Sequence, residues 1–256
     1  FKNLPKERWQ ILGAVPLRKG EDGSWRGTNF TYYGLLNAVA VVLAASIMIV
    51  MMGAVDVPLS GILFVAGAVF APAMPASGMI ARLVEKKASA FSVGAASFVG
   101  ILLAPWAILI SRKLLGFDAP VIAIVASLAI AYAFGEGVGR LACISFGCCY
   151  GKPVCECGKF LQKCFHRRHF VFTGKTKKIA YAHDLEGSAV IPVQAVTSVI
   201  YCVSGLAGLY LFANGFFRSA FLEALVVTQS WRFVSEFYRI DYRGGGKISA
   251  YQKMSL

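Results

Sequence analysis

Long runs of apolar positions, each about as long as a helix that crosses a bilayer, follow one another along the chain. There are six of them: Tyr33–Ala54, Leu59–Ala81, Ser89–Ile110, Pro120–Val138, Ile191–Ala213 and Ala220–Ser235. Because a backbone in lipid must satisfy its own hydrogen bonds, we expect each run to be a helix. The fourth is expected to continue as a glycine-broken segment through Tyr150. The pattern predicts an all-α, polytopic membrane helix bundle.

Polar segments between these runs divide the chain into four regions. Residues 1–32 form a basic, amphipathic N-terminal segment, and residues 33–150 hold spans one to four. Residues 151–190 form a cysteine-rich, basic head loop outside the membrane, and residues 191–256 hold spans five and six with a basic tail. The start lacks the pattern of a cleavable signal. The chain begins at Phe1 rather than Met, so we expect natural sequence to be missing at one or both ends.

Composition supports the membrane class. Hydrophobic residues make up 57% of the 256, and charged residues only 15%. A soluble domain carries roughly 25% charged residues. The mean hydropathy of +0.63 agrees with this difference. An ordinary soluble protein is therefore excluded.

Positive charge is gathered on one face of the predicted bundle. Of 26 Lys and Arg residues, only Arg112, Lys113 and Arg218 fall on the opposite face. The positive-inside rule would place the basic face in the cytoplasm. A face that binds anionic lipid headgroups also gains about 1 kcal/mol per nearby Lys or Arg. Counting charges leaves both causes open.

The segment after span four contains the first candidate site. Arg140 lies at the span end, where an isolated charge is costly, and Glu136 is placed for an i,i+4 ion pair with it. Arg140 could instead extend its charged end to the interface. Gly139, Gly147 and Gly151 let the backbone bend and approach a ligand closely, which favours a binding site.

A second candidate site follows span six. Arg232, Glu236 and Arg239 fall at i, i+4 and i+7, which is one face of a helix, and Asp241 follows them. Such a stripe can be a structural ladder of ion pairs. It can also bind phosphate, because guanidinium groups bind phosphate oxygens in bidentate fashion. In the second case the carboxylate holds the arginines in place before the ligand binds.

The cysteines of the head region allow three interpretations. Two are a zinc site, for which the spacing is unusual, and disulfides that join Cys148 or Cys149 to the loop. The third is reduced thiols. The loop residues concerned are Cys155, Cys157, Cys164, His166 and His169.

The basic turn from Thr173 to Lys178 is expected to be a solvated loop. It lacks the glycine-rich lead of a phosphate-binding loop, so we exclude nucleotide binding. We also expect no nucleic-acid partner.

Five motifs in order resemble those of the prolipoprotein diacylglyceryl transferase family. Together they cover most of the chain. They are Tyr33-Gly34, Gly139-Arg140 through Gly147 and Gly151, Pro192-x-Gln194, Arg232-Phe-x-x-Glu236-Phe-x-Arg239 with Asp241, and Ile248-Ser-Ala-Tyr-Gln252. The Gly-Cys-Cys-Tyr-Gly-Lys-Pro segment is similar to that of divergent members.

The resemblance implies a bacterial inner-membrane enzyme with several spans (seven in the family), no metal and no organic cofactor. Such an enzyme moves a diacylglyceryl group from phosphatidylglycerol, or another anionic phospholipid, to the cysteine thiol of a prolipoprotein or another acceptor. It implies catalytic roles for Arg140, Arg232, Glu236 and Glu136. It implies substrate-binding roles for Tyr33, Arg239, Gly139, Gly147, Gly151 and Gln194.

The chain also departs from the family at positions that would transfer protons. Ala142-Cys143 replaces an asparagine motif, Val93 and Ile191 stand where histidines are expected, and Val196-Thr197 replaces Tyr-Glu. The base would then be another residue, with Glu136 and the loop histidines as candidates, or the acceptor would differ. The alternative is a non-catalytic protein that binds or transports anionic phospholipid. The family places the active face outside the cytoplasm, and we follow the family because an anionic substrate also accounts for the charge.

Overall fold

Helices form most of the chain, as the apolar pattern predicts. The computed structural model describes residues 10–19, 25–86, 92–240 and 248–255. The helices within these ranges are α1 (Tyr32–Gly53), α2 (Leu59–Glu85), α3 (Val93–Leu115), α4 (Val121–Phe146), α5 (Lys159–Phe165), α6 (Lys178–His183), α7 (Val193–Ala213), α8 (Phe217–Ser235) and α9 (Ala250–Lys253).

Five of these helices are long and apolar enough to cross a membrane, namely α1, α2, α3, α4 and α7. They coincide with the first five predicted spans, so the prediction of a multi-pass all-α membrane protein is confirmed. The sixth predicted span is α8, a helix of 19 residues. Because α8 carries Arg218, Glu223 and Arg232, it is not among the helices that meet the length and hydropathy criteria. The fourth span runs unbroken to Phe146 rather than breaking at its glycines.

The helices and strands group into two units. The head unit comprises the described residues within 10–42, 135–199 and 238–240, and the span unit comprises the described residues within 43–134, 200–237 and 248–255.

The span unit has an aliphatic core and closely packed helices. Met52, Val65, Ile108 and Ile124 are fully buried in one cluster. In α7, a Cβ on Gly205 would lie 2.8 Å from the Phe134 ring. Small residues at helix contacts permit this approach where lipid provides no hydrophobic driving force.

The head unit begins with an antiparallel hairpin that the sequence analysis did not predict. Strand β1 (Ile11–Lys19) pairs with β2 (Trp25–Thr31). Threonine and aromatic residues favour strands at these positions. The hairpin leads directly into α1, where the Thr31 hydroxyl accepts a hydrogen bond from the Gly34 N–H at 3.1 Å. A polar side chain at a helix start satisfies a backbone donor that the helix leaves free.

The region from 151 to 190 folds around a small core of its own. Tyr150, Phe172, Ile179 and Val190 are buried together. Around them lie a 3-10 turn (Val154–Glu156), α5, α6 and a ladder of β3 (Phe170–Val171) with β4 (Ala189–Val190). The basic turn is not wholly solvated, because Lys177 is buried and its Nζ donates to the Ser145 carbonyl at 2.8 Å.

A candidate site of arginines and thiols at the end of helix α4

The last turns of α4 carry a nearly buried ion pair. Arg140 and Glu136 form the predicted i,i+4 salt bridge, and their side chains are 13% and 9% exposed. An unpaired guanidinium would be costly at this depth. The pairing therefore holds Arg140 in place at the end of an apolar helix.

Directly after α4 the chain makes a sharp turn through two left-handed residues. Gly147 has a φ of 65° and Cys149 a φ of 57°. Gly147 ends the helix, since glycine adopts this conformation without steric cost. A Cβ at Gly147 would also lie 3.1 Å from the Lys177 Cβ. The sequence analysis expected the backbone to bend at Gly147, and the structure has the bend at the helix end, where protein atoms surround the glycine.

The turn brings three thiols together. The sulfur atoms of Cys143, Cys148 and Cys149 all lie within 4.8 Å of one another. The N–H of Cys148 donates to the Cys143 carbonyl at 3.0 Å, which folds the turn back onto the last turn of the helix. Cys148 is buried, and Cys143 and Cys149 are partly exposed.

Buried hydrogen bonds from other segments hold this turn. Gln194 is fully buried and donates from Nε2 to the Cys148 carbonyl at 2.8 Å. The Gly147 carbonyl accepts from the Ile179 N–H at 3.0 Å. Gln194, which the resemblance assigned to substrate binding, thus lies against the backbone of the thiol turn and positions it.

Gly151 and Arg239 meet in a short backbone bridge. A Cβ at Gly151 would lie 2.6 Å from the Ile191 carbonyl oxygen, so only glycine fits. The neighbouring Lys152 N–H donates to the Tyr238 carbonyl at 2.8 Å. Arg239 is 9% exposed. The bridge brings Arg239 to the turn that carries the thiols.

The two arginines act on the same thiol. The pKa of Cys149 is lowered well below its ordinary value, first by hydrogen bonds from Cys143 and Cys148 and then by the positive charges of Arg239 and Arg140. The pKa of Cys148 is raised, because it is the hydrogen-bonded donor of the group and is buried. Cys149 is thus the thiol on which the positive charge of the head unit converges.

Tyr33 and Gly139 lie on neighbouring parts of the head unit. The Tyr33 ring packs against Phe146, with centroids 5.4 Å apart. A cavity of about 220 Å³ lies beside this pair. Gly139 faces α1, where a Cβ would lie 3.8 Å from the Ala40 Cβ. Both residues therefore belong to the same unit as Arg140.

Arg232 and Glu236 belong to the span unit. Arg232 donates from Nη1 to the Tyr132 hydroxyl at 2.7 Å, and its guanidinium lies directly against Gly94. Glu236 begins a 3-10 turn, Glu236–Tyr238, and its N–H donates to the Arg232 carbonyl.

The prediction that Arg232, Glu236 and Arg239 share one helical face is wrong at Arg239. Helix α8 ends at Ser235, a 3-10 turn follows, and Arg239 lies in the bridge to Gly151. The cause is tertiary, since backbone partners in the region after α4 draw the chain out of the helix. Asp241 lies outside the described residues.

Of the three interpretations of the cysteines, the structure has reduced thiols, because all seven cysteines are free and none forms a disulfide. The loop zinc site is not formed either. Among the described residues, the thiols of Cys143, Cys148 and Cys149 form the one group of His, Cys, Asp or Glu close enough to hold a metal ion. Cys155 and Cys164 are exposed, and the Cys157 Sγ donates to the Pro153 carbonyl.

Two of the three histidines are engaged within the head. His183 shares a hydrogen bond with the buried Tyr150 hydroxyl, and His169 Nδ1 lies 3.2 Å from the Phe165 carbonyl. These two histidines thus make structural contacts within the head unit.

The sequence analysis missed the triad of thiols and the partners of Arg232. The signal for the triad was present, since Cys143 lies one helical turn and a tight turn before Cys148 and Cys149. Tyr132 and Gly94 gave no signal, because a lone tyrosine or glycine in an apolar run is ordinary.

No protein-family model matches the chain, and no curated protein matches it.

Proposed function

We propose that this protein is a diacylglyceryl transferase that uses phosphatidylglycerol or another anionic phospholipid as donor and a cysteine thiol as acceptor. One observation supports the proposal: Arg239 pairs through its backbone with Gly151, just after the turn that ends the apolar helix on which Arg140 lies. We propose that this helix end lies at the level of the phospholipid phosphates. Two guanidinium groups suit a phosphate in geometry and in charge.

The reaction is a displacement at carbon. The acceptor sulfur forms a bond to the terminal glyceryl carbon, the bond from that carbon to the phosphate oxygen breaks, and glycerol phosphate leaves with the electron pair. The thiol proton must be removed before or during attack. The protein's contribution is to stabilise the negative charge that develops on the leaving phosphate.

The residues divide into two roles in this proposal. Arg140 and Arg239 bind the phosphate, and Glu136 keeps Arg140 oriented through their ion pair. Arg232, with Tyr132 as its partner, remains a predicted contributor on the basis of the resemblance. In keeping with the resemblance, we propose that the protein lies in a bacterial inner membrane with the active face outside the cytoplasm.

The test uses purified full-length protein in phosphatidylglycerol vesicles with a cysteine-containing lipobox peptide, and it measures glycerol phosphate release. We expect release only when the peptide is present. Arg140→Ala should lower the rate of release by about 100-fold or more. Arg140→Lys should restore only part of that rate, because lysine keeps the positive charge but lacks the planar guanidinium that binds phosphate in bidentate fashion.

Arg112→Ala is the matched control. Arg112 forms an ion pair with the exposed Asp118, so its loss should leave release unchanged. Tight binding of phosphatidylglycerol that is lost in Arg140→Ala, without any release, would replace the proposal with the non-catalytic lipid-binding alternative. If the protein shows no release and no binding that depends on Arg140, both the transferase and the lipid-binding alternative are rejected.

A further inference from the structure

The triad Cys143, Cys148 and Cys149 has the dimensions of a metal site. A zinc ion with sulfur ligands at about 2.3 Å in tetrahedral directions separates those sulfurs by about 3.8 Å. The three Sγ atoms lie within 4.8 Å of one another before any adjustment. Thiolates are the ligands that zinc and other soft ions select.

The turn is constructed so that the thiols converge. Cys149 has a φ of 57°, a conformation that costs a non-glycine residue about 1–3 kcal/mol. A fully buried amide, Gln194 Nε2, holds the peptide carbonyl of Cys148 from outside the turn. Gly147 alone is enough to end the helix. Helix termination therefore does not explain the left-handed backbone at Cys149 or the buried hydrogen bond from Gln194.

The charges nearby match a divalent ion. Three thiolates with one Zn²⁺ carry a net charge of minus one. Arg140 and Arg239 add two positive charges, and Glu136, paired with Arg140, adds one negative charge. The group as a whole is then neutral, which a buried, low-dielectric site requires. A monovalent ion such as Cu⁺ would leave it one charge short.

We propose that Cys143, Cys148 and Cys149 bind one Zn²⁺ as three thiolates, with the fourth coordination position open on the exposed side of the triad. Cys143 and Cys149 are partly exposed as residues, and the proposal places the fourth ligand on their side of the group. This site differs from the expectation of a metal-free enzyme that the resemblance carries.

The open position gives the site a use that rests on the proposed transferase. A thiol that coordinates zinc loses its proton. The acceptor cysteine would release its proton to water on binding and attack the glyceryl carbon as a metal-bound thiolate. The sulfur of the thioether product is neutral and binds Zn²⁺ weakly, so the product dissociates from the metal. The departures from the family at proton-transfer positions are thereby explained.

The binding test is independent of activity. Full-length protein in detergent is stripped with a chelator under reducing conditions and titrated with Zn²⁺ against a chromophoric competitor, with metal content measured by mass spectrometry. We expect one zinc per chain. Cys143→Ser, Cys148→Ser and Cys149→Ser should each weaken binding by about 100-fold or more, and Co²⁺ should give the absorption of thiolate coordination.

Cys155→Ser and Cys164→Ser are the matched controls, because both thiols are exposed in the same head region. Their affinity for zinc should be unchanged. Circular dichroism of each triad variant at the assay temperature separates loss of a ligand from loss of fold. Any of three results would overturn the proposal. These are zinc that stays bound when all three triad cysteines are changed to serine, zinc that is lost when Cys155 or Cys164 is changed, and a folded parent protein that binds no zinc.

The two proposals fail separately. Tight zinc binding by the triad without lipid transfer would leave the metal site and reject the transferase. Lipid transfer by fully zinc-free protein at an unchanged rate would leave the transferase and reject the role of zinc in it.

Discussion

The backbone of Cys149 lies in the left-handed region, while its neighbour Cys148 does not. A glycine substitution should therefore affect stability differently at these two adjacent positions. At Cys149 a glycine removes steric cost, and at Cys148 it only adds freedom to the unfolded chain and removes a buried side chain.

This difference gives a prediction at the residue scale. In the presence of a chelator, Cys149→Gly should be more stable than Cys148→Gly by about 1–2 kcal/mol. The measurement is the free energy of unfolding in mixed micelles, followed by circular dichroism as denaturing detergent is added. Equal stability of the two variants would show that the turn stores no backbone strain at Cys149.

At the scale of elements, a buried lysine links the region from 151 to 190 to the end of α4. Lys177 is 5% exposed and donates to the Ser145 carbonyl near the end of α4. The last carbonyls of a helix lack partners within the helix, and a cation there also interacts favourably with the helix dipole. Lys177 therefore joins the head segment to the helix that carries Arg140.

We expect Lys177→Ala to lower the free energy of unfolding of the head by about 1.5–3 kcal/mol, the value of a hydrogen bond to a charged group. Hydrogen exchange of amides in residues 170–190 measures this local opening. Lys175→Ala is the control, because Lys175 is exposed on the same basic turn. If both variants exchange like the parent, the Lys177 contact does not stabilise the head.

At the scale of the whole molecule, the described lysines and arginines of the head unit fall into two groups. Most of the head lysines and arginines are exposed or partly exposed, whereas Arg239 is buried and Arg140 nearly so. Only the buried part can hold a ligand phosphate away from water. The exposed part is compatible with either face of the membrane, so orientation needs its own measurement.

The proposed orientation predicts the accessibility of the head. In intact cells, a membrane-impermeant maleimide should label Cys155 and Cys164, which are both exposed. A double variant with both changed to serine controls for reaction elsewhere. Protection of both thiols until the cells are opened would place the head in the cytoplasm and contradict the proposed active face.

The sequence by itself determined what depends on local composition. The apolar runs became helices because a helix satisfies its backbone hydrogen bonds within one segment, and runs of about 20 apolar residues have the length of a spanning helix. Glu136 pairs with Arg140 because residues four apart are neighbours on a helix. The sequence analysis also expected close backbone approach at Gly147 and Gly151, but it assigned that approach to a ligand, whereas the atoms close to these glycines in the structure belong to Lys177 and Ile191.

The tertiary structure alone decided what depends on long-range contacts. Arg239 left the helical face of Arg232 because its backbone pairs with Gly151, a residue far away in sequence. The thiols of Cys148 and Cys149 turned toward Cys143 rather than toward the loop cysteines because Gln194 and Ile179 hold the turn from other segments. Side-chain spacing along the chain predicts neighbours within an element, whereas such contacts form only when separate elements pack together.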